Sequence, residues 1–86
     1  MNRLAVLELR NNPLGDEGAC ALTASPYLTS LVKLDLAGCQ IGDRGGGALL
    51  GWPALADVVY LDLGRNGFSA GMKEALCKRF GNRVEL

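Results

Sequence analysis

Three short stretches of the chain alternate apolar and polar residues, and they are evenly spaced. Leu7 and Leu9 flank Glu8, Leu34 and Leu36 flank Asp35, and Leu61 and Leu63 flank Asp62. Side chains alternate between the two faces of a strand, so each leucine pair shares one face and the acid takes the other. Asn12, Cys39 and Asn66 follow three positions on, where the chain must turn away. Beyond each turn the apolar spacing changes to four. Gly18 and Leu22, Gly45 and Leu49, and Met72 and Leu76 fall on one side of a helix. Asp16, Asp43 and Ser69 stand where the N-caps of those helices belong, and Pro26 and Pro53 where the helices stop and feed the next strand. Ala21, Ala48 and Ala75 are small enough to keep each helix close to the strands. The pattern predicts strand, turn and helix three times over, with Val84, Glu85 and Leu86 able to add a closing strand.

The even spacing is a repeat. A shift of 27 residues lays Leu4, Leu7, Leu9, Gly15, Asp16, Gly18, Ala21, Leu22, Pro26 and Leu28 onto identical residues. A second shift gives six identities, at Val59, Leu61, Asp62, Leu63, Ala75 and Leu76. The units span residues 4–30, 31–57 and 58–84, in a single domain of 1–86 with a C-terminal cap over 80–86. One such unit cannot bury its own leucines, but three stacked units make a continuous apolar column.

Each unit reads L-x-x-L-x-L-x-x-N/C-x-L: Leu4 to Leu14, Leu31 to Ile41 and Val58 to Phe68. This closely resembles the leucine-rich-repeat family. The GD-x-G stretches at Gly15 to Gly18 and Gly42 to Gly45 are similar to the ribonuclease-inhibitor-like subfamily, whose repeats carry a full helix. The ending from Lys78 to Leu86 is similar to the C-terminal end of bacterial arrays of this kind. In the third unit Ser69-Ala70-Gly71-Met72 replaces GD-x-G, as suits an end repeat. The resemblance implies an α/β solenoid, with a short parallel sheet on the concave side and helices on the convex side. It also implies a protein-binding role.

The concave face is where a partner is expected. Neighbouring strands lie about 4.8 Å apart, so Glu8, Asp35 and Asp62 should form a column of carboxylates. Val6, Lys33 and Tyr60 run beside it, and Arg10, Ala37 and Gly64 on the other side. The repulsion within the column could be relieved by a basic group of the partner or a cation; equally, the acids could serve only as soluble strand residues. The partner-binding candidates are thus Glu8, Arg10, Lys33, Asp35, Tyr60 and Asp62. Asn12, Cys39 and Asn66 are structural turn candidates, because a buried amide or thiol can satisfy backbone groups of the turn. Trp52 could be an exposed binding anchor or a packing residue.

The rest of the composition mainly excludes. Nine basic and nine acidic residues cancel, which argues against nucleic acid or an anionic membrane as partner. No apolar run is long enough to span a bilayer, and no signal peptide is apparent. Histidine is absent and there is no Cys-x-x-Cys pair, so no metal site is expected. The glycine run from Gly42 to Gly51 lacks the spacing of a phosphate loop and reads as a short, loose helix. No nucleophile set or cofactor motif points to an enzyme. Three cysteines, an odd number at wide spacing, suit a reducing cytoplasmic setting. Leu4, Leu7 and Leu9 begin a strand with no polar cap before it, so that edge is expected to be covered, by preceding repeats or by self-association. The leading functional reading is a protein-interaction module. The alternatives are a regulator of a small GTPase, which the subfamily resemblance implies, and a capping fragment of a longer array.

Overall fold

The computed structural model describes residues 5–86; the expected role of Leu4 lies outside them. Among the described residues, four parallel strands form one sheet in chain order. They are β1 (Ala5–Glu8), β2 (Leu31–Asp35), β3 (Tyr60–Asp62) and β4 (Val84–Glu85). The intervening helices are α1 (Gly15–Thr23), α2 (Asp43–Leu50) and α3 (Ala70–Phe80). This is the α/β repeat architecture that the alternating pattern predicts. The parallel order follows because every strand is returned to the same end of the sheet by a helical crossover.

The register keeps equivalent residues side by side. Leu7 pairs with Leu34, Leu34 with Leu61 and Leu61 with Val84. Leu34, Leu36 and Leu61 are fully buried, joined by Leu49 and Leu76 from the helices. Leu7, Leu9, Leu14 and Leu22 are only partly buried and pack against this core from the first repeat. Trp52 is 4% exposed and belongs to the core, which removes it as an exposed anchor. Pro53 opens a one-turn 3-10 helix, Pro53–Leu55, rather than leading straight into a strand. The last step is shorter than the others: Val84 follows Leu61 by 23 positions, where Leu61 follows Leu34 by 27.

The turns after the strands are tied across repeats. Asn66 Oδ1 accepts from the Cys39 and Ile41 N–H groups, at 3.0 Å each. Its Nδ2 donates to the carbonyls of Leu36 (2.9 Å), Leu63 (3.0 Å) and Gly64 (3.2 Å). Cys39, fully buried, donates from Sγ to the Leu9 carbonyl at 3.0 Å. Asn12 is exposed and, among the described residues, its side chain bonds only within its own turn, to the carbonyls of Leu9 and Arg10. Gly38 takes a positive φ of 66°, as Asn11 and Arg65 do at the equivalent positions. A Cβ on Gly38 would run into Asn11 Oδ1, which accepts a 3.1 Å hydrogen bond from Arg65 Nη1 across it.

The helix N-termini correct the sequence expectation. Asp16 and Asp43 do not cap their own helices. Asp16 Oδ1 instead accepts from Gly42 N (2.7 Å) and Gly45 N (2.9 Å), at the start of the next helix. Asp43 Oδ1 likewise accepts from Ser69 N at 2.8 Å, and this bond holds its carboxyl below the ordinary carboxylate range. Only Ser69 caps its own helix, accepting from Met72 N at 3.2 Å. Each aspartate lies beside the neighbouring helix's free N–H groups, where a carboxylate is favoured by the helix dipole.

The glycines of α2 also differ from expectation. Gly45 and Gly46 are buried, the first against Asp16 and Ala19 of α1 and the second against Phe68 and Met72. A Cβ on Gly45 would lie 2.6 Å from Ile41 Cγ2 and 2.8 Å from Asp16 Oδ1; one on Gly46 would lie 2.9 Å from Phe68 Cε1. They are contact positions, not loosening ones. Ala21, by contrast, is exposed, Ala48 and Ala75 are half-buried, and Ala19 is the helix alanine that is fully buried.

Two predictions test this packing. Gly45→Ala should destabilise by about 1–3 kcal/mol through overpacking. Gly47→Ala, with nothing within 4 Å of its Cβ, should stabilise by about 0.5–1 kcal/mol through helix propensity. Equal shifts in the urea midpoint from both changes would refute the close-approach account. Asn66→Ala should cost about 1–3 kcal/mol by stranding buried backbone groups, read from the same denaturation curves; an unmoved midpoint would show that the amide contributes nothing.

Candidate functional site

The outward side of the sheet, opposite the leucines, gathers the sequence-predicted binding residues. Glu8, Asp35 and Asp62 stand in register as expected, and Glu85 extends the column to four carboxylates. The 27-residue shift misses Glu85 because of the shortened last step. Val6, Lys33 and Tyr60 form the adjacent column.

The repulsion in the acidic column is relieved inside the chain. Arg10 donates from Nε to Asp35 Oδ2 at 2.9 Å and from Nη2 to Asp62 Oδ2 at 2.8 Å. Its side chain thus reaches from the first repeat to acids of the second and third; Ala37, the 27-residue equivalent of Arg10, is buried. Each aspartate also turns its other oxygen to the backbone. Asp35 Oδ1 accepts from Ala37 N at 3.1 Å, and Asp62 Oδ1 from Gly64 N at 3.0 Å. Tyr60 donates its hydroxyl to Asp62 Oδ2 at 3.1 Å. Lys33 pairs with Glu8 at 3.2 Å and lies 5.5 Å from the centre of the Tyr60 ring. Asp35 and Asp62 are consequently 7% and 9% exposed, so they hold Arg10 rather than face solvent. Glu8, Arg10, Lys33 and Tyr60 remain accessible, together with Val6.

The electrostatics follow from these bonds. Burial tends to raise the Asp35 carboxyl, but it is outweighed by hydrogen bonds from Arg10 and the Ala37 N–H and by the charges of Arg10 and Lys33. The net effect is a value below the ordinary carboxylate range. The Asp35 hydrogen bond and charge push the Arg10 guanidinium further above its already high value. Tyr60 is raised, first by donating to Asp62, then by burial and the surrounding carboxylates.

Among the described residues, no group of histidine, cysteine, aspartate or glutamate is placed to hold a metal ion. No helix among them is long and apolar enough to cross a membrane. The structural turn candidates Asn12, Cys39 and Asn66 lie beyond the strand ends, apart from the acidic column.

A family model described as Leucine Rich repeat matches residues 4–22 and 27–50, half of the chain. Neither the curated proteins nor the solved structures compared with the chain give a match.

The Arg10 bridge carries a pH signature. Because the folded value of Asp35 is depressed, the stability it adds is fully present above its unfolded value of about 3.9 and is lost as pH falls through the lower folded value. Arg10→Gln should therefore lower stability at pH 7 and flatten the loss of stability in acid. Denaturation midpoints measured from pH 7 down to pH 2 test this. Parallel acid losses in both proteins would show that the bridge does not set the Asp35 titration.

Proposed function

Since the chain belongs to the leucine-rich-repeat family, whose repeats are generally protein-interaction modules, we propose that it binds a protein partner through the concave, outward face of its sheet. One observation carries this reading: exposed Glu8 and Val6 and half-buried Lys33 and Tyr60 are brought together on the sheet face opposite the leucine core. Preformed, parallel columns of mixed charge and aromatic character suit recognition, because the side chains pay little ordering entropy on binding. The Arg10 bridge serves the site by holding the acids in place. It also leaves Glu8 and Lys33 as the charges a partner meets first.

The subfamily proposed is the ribonuclease-inhibitor-like one, supported by the full helices of 9, 8 and 11 residues that follow the strands. The segment from Phe80 onward is proposed to close the stack at its C-terminal end. Its shortened step brings Phe80 into the core and lays Val84 against Leu61. Arg83 supports it by donating to the carbonyls of Phe80, Ala56 and Val58. The reading is non-catalytic, and the unpaired thiols of Cys20, Cys39 and Cys77 fit a reducing cytoplasmic compartment.

The test compares the two faces. Once a partner is isolated, Lys33→Glu and Tyr60→Ala should each weaken binding by about tenfold or more, the usual scale for an interface anchor. Lys73→Glu and Lys78→Glu, on the outer helix, should leave it unchanged. Equal losses from both faces, with the fold intact, would place the site elsewhere.

A further inference from the structure

Of the turn residues Asn12, Cys39 and Asn66, only the last stands in a chemically labile setting. Asn66 is followed by Gly67, and no other asparagine of the sequence precedes a glycine. In an Asn-Gly step the next backbone nitrogen can attack the side-chain carbonyl carbon. Glycine has no Cβ to hinder the approach, and its backbone freely adopts the conformation that brings the two atoms together. The equivalent turn residues each lack a reactant. Cys39 has no amide, and Asn12 is followed by Pro13, whose nitrogen carries no proton and cannot attack.

The folded stack holds the two reactants apart. Gly67 N donates to the Ile41 carbonyl at 2.8 Å, which keeps its proton in place and its direction fixed. Asn66 Oδ1 is held by the N–H groups of Cys39 and Ile41, and Nδ2 by the carbonyls of Leu36, Leu63 and Gly64. Leu36, Cys39 and Ile41 belong to the second repeat. Both reactants are therefore released together when the third repeat separates from the second, a local opening short of global unfolding.

We propose that Asn66–Gly67 is a deamidation site gated by the docking of the third repeat on the second, closed in the folded stack and open once they separate. In the open chain the Gly67 nitrogen gives up its proton and bonds to Asn66 Cγ. The Cγ–Nδ2 bond breaks, and ammonia leaves with that proton, so that a cyclic imide remains. Water, the only co-reactant, then opens the ring at either carbonyl and yields aspartate or its β-linked isomer. Refolding does not undo the change. The new carboxylate has no hydrogen to donate, and its oxygen would face the Leu36, Leu63 and Gly64 carbonyls where Nδ2 stood. The β-linked isomer also adds a carbon to the main chain at a turn that sets the strand register.

The test incubates the full 86-residue protein at mildly alkaline pH, in buffer and in urea, and follows each asparagine by peptide mapping with mass spectrometry. Asn66 should convert at least about tenfold more slowly in buffer than in urea, since the reaction there waits on opening. Gly67→Ala should slow Asn66 in urea to the rate of Asn11 and Asn82, an arm that does not depend on how the variant folds. In the folded chain its Cβ would meet only Ile41 O, at 3.7 Å, so the variant should also keep its denaturation midpoint. After dilution from urea, converted chains should show a lowered urea midpoint or no transition, and unconverted chains the original one. Equal rates in buffer and urea would overturn the gate. Asn11 or Asn82 converting as fast as Asn66 in urea, or converted chains recovering the original midpoint, would overturn the inference as a whole.

Discussion

The amide of Asn66 holds two successive turns at one fixed spacing, and the rest of the stack is built on that spacing. Its oxygen takes two N–H groups of the preceding repeat, and its nitrogen reaches carbonyls of both repeats. Backbone groups leaving a parallel sheet have lost their ladder partners and are too buried for water, so something must satisfy them. With the turns locked, the strands keep register beyond their formal ends. Leu36 N reaches Asp62 O at 2.8 Å, and Gly38 N reaches Gly64 O at 2.9 Å. A slip of one residue would exchange the leucine face for the acid face, so the turn bonds and the apolar core defend the same alignment. Cys39 can occupy the equivalent place one repeat earlier because its thiol still reaches the Leu9 carbonyl.

Much of this was legible in the sequence. The leucine alternation located the strands, and the 27-residue shift fixed which residues stand beside one another, down to the pairing of Glu8 with Asp35 and Asp35 with Asp62. What escaped were interactions that join one repeat to the next. Asp16 reads locally as the cap of its own helix, yet it serves the following one. Gly45 and Gly46 read as helix-weakening, because propensity describes an isolated helix and not the distance to its neighbours. Glu85 was hidden by the shorter final step. Arg10 sat in a column of its own, and nothing in its spacing announces that it crosses to Asp62.

The same cross-repeat logic governs the sheet face. A row of carboxylates at strand spacing would repel, and the chain answers with one long cation laid across the repeats instead of one per repeat. It concentrates positive charge over the middle of the column and leaves the two ends unlike each other: Glu8 is met by Lys33, while Glu85 has no ion-pair partner among the described residues. The face therefore has a direction along the stack, although the repeats that compose it are nearly equivalent.

The aspartates that reach forward have a consequence for how such a chain can grow. Asp16 completes the helix of the second repeat, and Asp43 the start of the third. Each carboxylate and the N–H group it accepts from lie at matching positions of consecutive units, so a segment copied in frame at the 27-residue period carries both halves of the junction with it. The duplicated unit would arrive with a carboxylate for its successor and free N–H groups for its predecessor, and no new interface would need to be invented. Lengthening by whole units is thus structurally cheap for this architecture, whereas an insertion of any other length inside a unit would separate each carboxylate from the helix it serves.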